Sequence, residues 1–277
     1  MTTLQEQGHR WLAQGQPTKA RQSFEQARRI AESIDDRRSL VEILQELGDL
    51  NLEGGYVPEA VSLHREALRL AEQTGDEHRI LLSVGSLAAA EQQAGHTETA
   101  ADLYKRAMDL ARERQDSGAL AVLLNNAGLL HQRTGDVEAA RQAYREASAI
   151  NRELRHREAE ASNHANLGMV AEGLQDYEEA AREFALALEL DKESENRRGI
   201  AADLASMGRI AVRRGYTELG LDYMDRAYRS YVAQGDKKRA LEALSNAVEA
   251  AKESGRLDQV RRFEAESASL KALPAPR

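Results

Sequence analysis

Small and large residues return along this chain at a fixed interval of 40 positions. Alanine stands at Ala20, Ala60, Ala100, Ala140 and Ala180, continued by Gly220 and Val260. A second small series runs through Ala27, Ala67, Ala107, Ala147, Ala187 and Ala227 to Ser267. Between them lies a bulky series, Phe24, His64, Tyr104, Tyr144, Phe184 and Met224, ending in Glu264. Spacings of four and three place the three series on one face of a helix. A further small series, Gly8, Gly48, Ala88, Gly128, Gly168 and Gly208, often follows Leu or Met, as in Leu47, Leu87, Leu167 and Met207. Small residues at fixed places mean close backbone approach, and the bulky series supplies knobs to fill the space beside it. Each repeat therefore reads as two antiparallel helices.

The same interval marks the helix ends. Gly15, Gly55, Gly95, Gly135, Gly215 and Gly255 keep the beat, and Gln175 stands in the one gap. Glycine there suits a left-handed residue closing the first helix. Asp36, Asp76, Asp116, Asn196 and Asp236 share another phase, with His156 as the exception. Asp and Asn side chains accept from the free N–H groups of a first turn, so each predicts a helix start. Glu98, Glu138, Glu178, Glu218 and Asp258 favour a helix dipole, and Pro17 and Pro58 sit where proline is tolerated. The pattern predicts first helices over 2–14, 37–54, 77–94, 117–134, 157–174, 197–214 and 237–254. It predicts second helices over 17–33, 57–74, 97–114, 137–154, 177–194, 217–234 and 257–271.

Small-Leu-Gly, then Gly, then Ala, aromatic and Ala at these offsets resemble the tetratricopeptide repeat (TPR), whose common form is about 34 residues long. The 40-residue form is similar to the repeats of kinesin light chains and G-protein-signalling modulators. Leu-Asn-Asn-Ala-Gly at 124–128 resembles the former, and Leu-Gln-Asp-Tyr-Glu-Glu-Ala at 174–180 the latter. The resemblance implies an all-α fold, a right-handed α-solenoid superhelix of about seven helix-turn-helix units. The repeats are expected at 1–35, 36–75, 76–115, 116–155, 156–195, 196–235 and 236–271, forming one solenoid over 1–271 with a frayed tail at 272–277. The last repeat, with Glu264 and Ser267, reads as a polar end. Trp11 reads as a cover for the opposite end, or else as an anchor for a partner.

Composition narrows the function. Hydrophobic residues make up 42%, aromatics 4% and charged residues 30%, a helical composition without strand alternation. The net charge of −8, with basic residues dispersed among acids, argues against nucleic acid as a partner. The absence of cysteine removes disulfides, thiol catalysis and cysteine-ligated zinc. No basic-then-apolar leader opens the chain and no stretch reads as a membrane span, so a cytoplasmic protein with no membrane partner is expected.

Catalytic motifs are absent: there is no Gly-rich phosphate loop, His-Glu-x-x-His or Gly-x-Ser-x-Gly. The protein is expected to be no enzyme and to need no cofactor. His156, Glu160 and His164 are spaced as metal ligands would be on a helix, but His156 falls at a cap position and a metal is not expected. His64 takes a bulky core position, and His9, His78, His96 and His131 form no cluster.

The TPR resemblance implies that first helices line a concave groove. One row in it is Glu6, Glu46, Ser86, Asn126, Asn166, Ser206 and Asn246. In related proteins Asn here grips the backbone of an extended peptide, because an amide both donates and accepts. Asn125 and Asn163 neighbour this row. Glu46, Asp49 and Glu53 share a face of the second repeat's first helix, while Arg133, Arg209 and Arg213 lie in later repeats. A ligand with a basic end toward the N-terminal repeats and an acidic portion further on would match. The leading expectation is a scaffold that binds a peptide or helical segment of a partner. A peptide-sensing regulator is the second reading, disfavoured because no effector segment flanks the repeats; a self-assembling adaptor is the third.

Overall fold

The computed structural model describes residues 2–272. Among them are fourteen helices and no strand: α1 (Thr2–Ala13), α2 (Pro17–Ser33), α3 (Arg37–Glu53), α4 (Val57–Thr74), α5 (Glu77–Gln93), α6 (Thr97–Glu113), α7 (Ser117–Thr134), α8 (Val137–Leu154), α9 (Arg157–Gly173), α10 (Tyr177–Glu193), α11 (Arg197–Arg213), α12 (Thr217–Ala233), α13 (Lys237–Glu253) and α14 (Leu257–Ala272). Every predicted boundary falls within one residue of these. Of the tail expected to fray at 272–277, residues 273–277 lie outside the described residues.

The helices begin and end where the residue chemistry directs. Asp36 accepts from the Ser39 N–H at 3.1 Å, Asp76 from Arg79 at 3.2 Å, Asp116 from Ala119 at 2.9 Å, Asn196 from Gly199 at 3.2 Å and Asp236 from Arg239 at 3.0 Å. Those backbone bonds hold the Asp36 and Asp76 carboxyls below the usual range. His156 makes no side-chain cap. The six glycines of the beat have φ between 66° and 85°, and Gln175 takes the same left-handed conformation at 61°. A second left-handed beat, at Asp35, Gly75, Gln115, Arg155, Glu195 and Gly235, closes the second helices.

Successive helices pack side by side from α1 to α7 and again from α8 to α14, and the chain is an all-α repeat solenoid. It divides into two compact units, Met1–Thr134 and Gly135–Arg277. The first contains α1–α7 and the second α8–α14. Within each, the bulky residue of a second helix lies on the glycine of the first helix before it. A β-carbon added at Gly8 would fall 2.6 Å from the Phe24 ring, at Gly48 2.5 Å from His64, at Gly168 2.9 Å from Phe184, and at Gly208 2.7 Å from Met224. At these four places the missing β-carbon lets the bulky side chain lie directly on the neighbouring helix, while Ala88 stands at the equivalent place in the third repeat. Both alanine series are buried from Ala20 to Ala227.

Each end of the chain has a feature of its own. Trp11 packs partly buried on the Phe24 and Ile43 cluster, with the Lys19 ammonium 4.4 Å over its ring. In α14 the buried aromatic is Phe263, one place before the exposed Glu264.

Candidate partner-binding faces on the odd helices

Within each unit the odd helices touch their odd neighbours as well as the even helices between: α3 with α5, α5 with α7, α9 with α11 and α11 with α13. Cavities between these helices are lined by five of the candidate residues, Asp49 and Asn126 in the first unit and Arg209, Arg213 and Asn246 in the second.

In the first unit, small residues open this face. Gly85, Ser86 and Ala89 of α5 stand beside Gly118, Ala119 and Val122 of α7. With so little side chain between the helices, a cavity of about 410 Å³ remains, walled by Leu81, Leu82 and Leu123. Leu82 and Val122 are 43% and 60% exposed, so apolar surface is left in water. Asp49 of α3, Asp116 at the cap of α7 and Asn126 of α7 rim the cavity.

The acids of α3 lie alongside. Glu46 is half-buried, with the Nε2 of His9 3.8 Å away; burial raises its pKa, against the pull of His9 and with help from Glu42. Asp49 keeps 59% of its side chain exposed, yet the packed wall around it, with Glu46 and Glu53, pushes it up to about 6. Behind it sits His64, fully buried, its Nε2 3.5 Å from Asp49 Oδ1. Burial lowers His64 to about 4, so the ring is neutral at pH 7 and the pair is no ion pair. Glu53 is exposed. Asn125 donates to the Asn126 amide oxygen at 3.4 Å. Arg133 donates to the Gln92 carbonyl at 3.3 Å, which ties it to the end of α5.

In the second unit the face is polar. Ser206, Arg209 and Asn246 line a cavity of about 220 Å³ with Tyr231, Arg239 and Glu242. Arg213 lines a smaller one with Glu172, Glu249 and Glu253. The Arg209 guanidinium grips Glu172 with two bonds of 3.1 and 3.3 Å. Its charge is thus already answered, which leaves Arg213 of the arginine pair on α11, among Glu172, Glu249 and Glu253. Asn166 is half-buried on α9. Asn163 is a correction to the expected groove set: it is 1% exposed, and its amide oxygen accepts from Asn151 of α8 at 2.8 Å. One step from the Asn166 row around the helix is enough to turn it into the core.

The His156, Glu160 and His164 spacing does not converge. His164 Nδ1 lies 2.7 Å from Glu183 and its Nε2 3.2 Å from Ser148 Oγ, while Glu160 accepts from Arg152 at 2.7 Å. No group of three His, Cys, Asp or Glu among the described residues is placed to hold a metal. No helix among them is long and apolar enough to cross a membrane.

Sequence reasoning missed the cavity. Its signal was the smallness of Gly85, Ser86 and Ala89 at the places where α3 carries Gln45, Glu46 and Asp49.

A family model of the tetratricopeptide repeat matches residues 11–73 and 119–193. No curated protein matches the sequence. Several solved structures share the fold. BtubC (BKLC) from P. vanneervenii is 24% identical, with a TM-score of 0.68 over 80% of this chain and 91% of its own. The apo form of RapI is 12% identical, with a TM-score of 0.73 over 98% and 97%. A Rap protein complexed with Competence and Sporulation Factor is 15% identical, with a TM-score of 0.68 over 97% and 73%. The hairpin stack, its glycine-on-ring contacts and the matching family model together make this chain a member of the tetratricopeptide-repeat proteins.

Proposed function

We propose that this chain is a non-enzymatic interaction protein that holds a segment of a partner protein on the odd-helix faces. The observation that carries the reading is the open cavity between α5 and α7, where exposed Leu82 and Val122 leave apolar surface unmatched. Exposed apolar surface in a concave site is the usual mark of a place where another molecule docks. Asn126 at its rim adds a group that can both donate to and accept from a peptide backbone. TPR proteins are in general scaffolds without catalysis, and the Rap structure in complex with a factor shows one such fold holding a ligand. That complex also favours a second reading, a regulator that senses the segment it binds. A change in solution scattering on adding the bound segment would favour the sensor, and an unchanged profile the scaffold.

The test is a titration of a partner captured by affinity, comparing the wild type with Asn126→Ala plus Asn166→Ala. Affinity should fall about tenfold, roughly 1.4 kcal/mol, with the melting temperature unchanged. Unchanged binding, or unfolding of the double variant, would remove these amides from the site.

A further inference from the structure

The first unit's cavity has a chemistry that specifies its occupant. We propose that it takes a partner segment carrying a large aliphatic side chain with a lysine or arginine a few residues away, the aliphatic group entering between α5 and α7 and the cation resting on Asp49. This rests on the reading that the odd-helix face binds a segment at all.

Three observations carry it. The floor and walls are apolar and built of small residues, Gly85, Ala89 and Ala119 beneath Leu82 and Val122. At about 410 Å³ the space is within the range of ligand sites, roughly 300–1,000 Å³, and admits a branched aliphatic group with part of its backbone.

The rim is acidic and unanswered. Elsewhere in this unit carboxylates are held by arginine: Glu42 by Arg79 at 2.6 Å, Glu72 by Arg106 at 2.7 Å and Glu91 by Arg65 at 2.6 Å. Neither Asp49 nor Glu53 has a Lys or Arg partner among the described residues, and the ring behind Asp49 is neutral. A carboxylate crowded by packing and by other carboxylates gains more from an incoming cation than a fully solvated one does.

The groups around Asp49 all act in the same sense. They are Glu46 and Glu53 on its own helix, and Asp116 across the cavity at the cap of α7. An acidic segment would meet four like charges, Asp49 included, so the face discriminates by repulsion as well as attraction. Asn126 and Ser86 remain to meet the segment's backbone.

A phage-displayed library of random octapeptides, panned on the whole chain, tests this. Two selected sequences, made synthetically, are then titrated against the wild type, Asp49→Asn, Ala89→Leu and Val122→Ser. The selected peptides should pair an aliphatic residue with Lys or Arg. Each variant should weaken them about tenfold, and replacing the peptide's basic residue by Glu should abolish binding. Val122 is exposed, so Val122→Ser reports on the cavity even if Ala89→Leu disturbs packing. Peptides that are acidic, or bind Asp49→Asn as well as the wild type, overturn the cation assignment while leaving the cavity as a binding site. No enrichment, or peptides indifferent to both cavity variants, overturns the cavity reading as well.

Discussion

Asp191 and Asp203 occupy the same two places in their repeats as Asn151 and Asn163 do one repeat earlier. The asparagines meet as a hydrogen-bonded amide pair, whereas the aspartates are two carboxyls buried to 4% and 3% exposure. Two carboxylates in a dry contact cannot both ionise, so the pair shares a proton. Burial, then the neighbouring Asp191, pushes Asp203 up to about 8. Asp191 is also raised, chiefly by burial and against the Asn196 amide that donates to it at 3.0 Å; Glu158 is the other charge that faces it. A folded state that holds a proton the unfolded chain releases near pH 4 loses stability as pH rises from about 4 to about 8, and no further above that. Asp203→Asn supplies the donor at every pH. It should flatten that slope and raise the melting temperature at pH 8.5 by at least about 2 °C. An unaltered slope in thermal melts would place the titration elsewhere. His64 works in the opposite direction. It is buried with both ring nitrogens unpaired, in the place that Phe24 and Phe184 fill in other repeats. Lowered to about 4, it resists a proton that the unfolded chain accepts near 6.5, so it costs stability as pH falls through that window. His64→Phe should stabilise the protein by about 1 kcal/mol at pH 7, and by more at pH 5, in urea titrations. A loss of stability would mean that the ring nitrogens have a role beyond filling space.

At the scale of the helices, the repeat exposes its own rules, because each end is set by local chemistry that recurs. A left-handed residue, in seven copies, and an Asx cap, in five, fix the helix ends within one residue and make the signal plain. What stayed hidden were features present in only some copies. Asp136 and Asp176 cap second helices, at a place where other repeats carry Gln16, Tyr56, His96 and Tyr216. Phe263 took the core place one residue early in α14, where the interval predicted Glu264 to stand. The strictest rule is the small residue under each bulky side chain, glycine at Gly8, Gly48, Gly168 and Gly208 and alanine at Ala88. A β-carbon at Gly168 would meet three atoms of the Phe184 ring at 2.9 to 3.0 Å, and a buried ring cannot rotate out of the way. Gly168→Ala should therefore destabilise by about 1–3 kcal/mol, although alanine is the better helix former. A stabilised Gly168→Ala in chemical denaturation would show that α9 and α10 can separate without cost.

For the molecule as a whole, the rows that face the candidate sites were legible and their chemistry was not. Position along a helix puts Glu46, Asp49, Asn126 and Asn246 on the odd helices, where Asp49 is exposed and the other three are half-buried. It cannot show that Arg209 is already paired, since Glu172 approaches from the preceding first helix. Nor does a run of small residues announce itself as a cavity until its neighbours are seen to leave it unfilled. The charge of the chain, −8, adds a general pull on basic segments that any acidic protein exerts, and the pH dependence of binding separates that pull from a specific anchor. Asp49 titrates near 6, in a window where a peptide lysine stays charged and His64 stays neutral. Glu46, raised mainly by burial, and His9 beside it lie one turn away. If a basic octapeptide rests on ionised Asp49, its affinity should fall up to about tenfold between pH 7.5 and pH 5, as the carboxylate takes its proton. The loss should vanish in Asp49→Asn, which binds weakly at both values. Diffuse attraction predicts something else: a steady decline that Asp49→Asn leaves in place and that added salt removes throughout. Fluorescence anisotropy at matched ionic strength distinguishes the two, and a slope that survives in Asp49→Asn would exclude this carboxylate as the cation's seat.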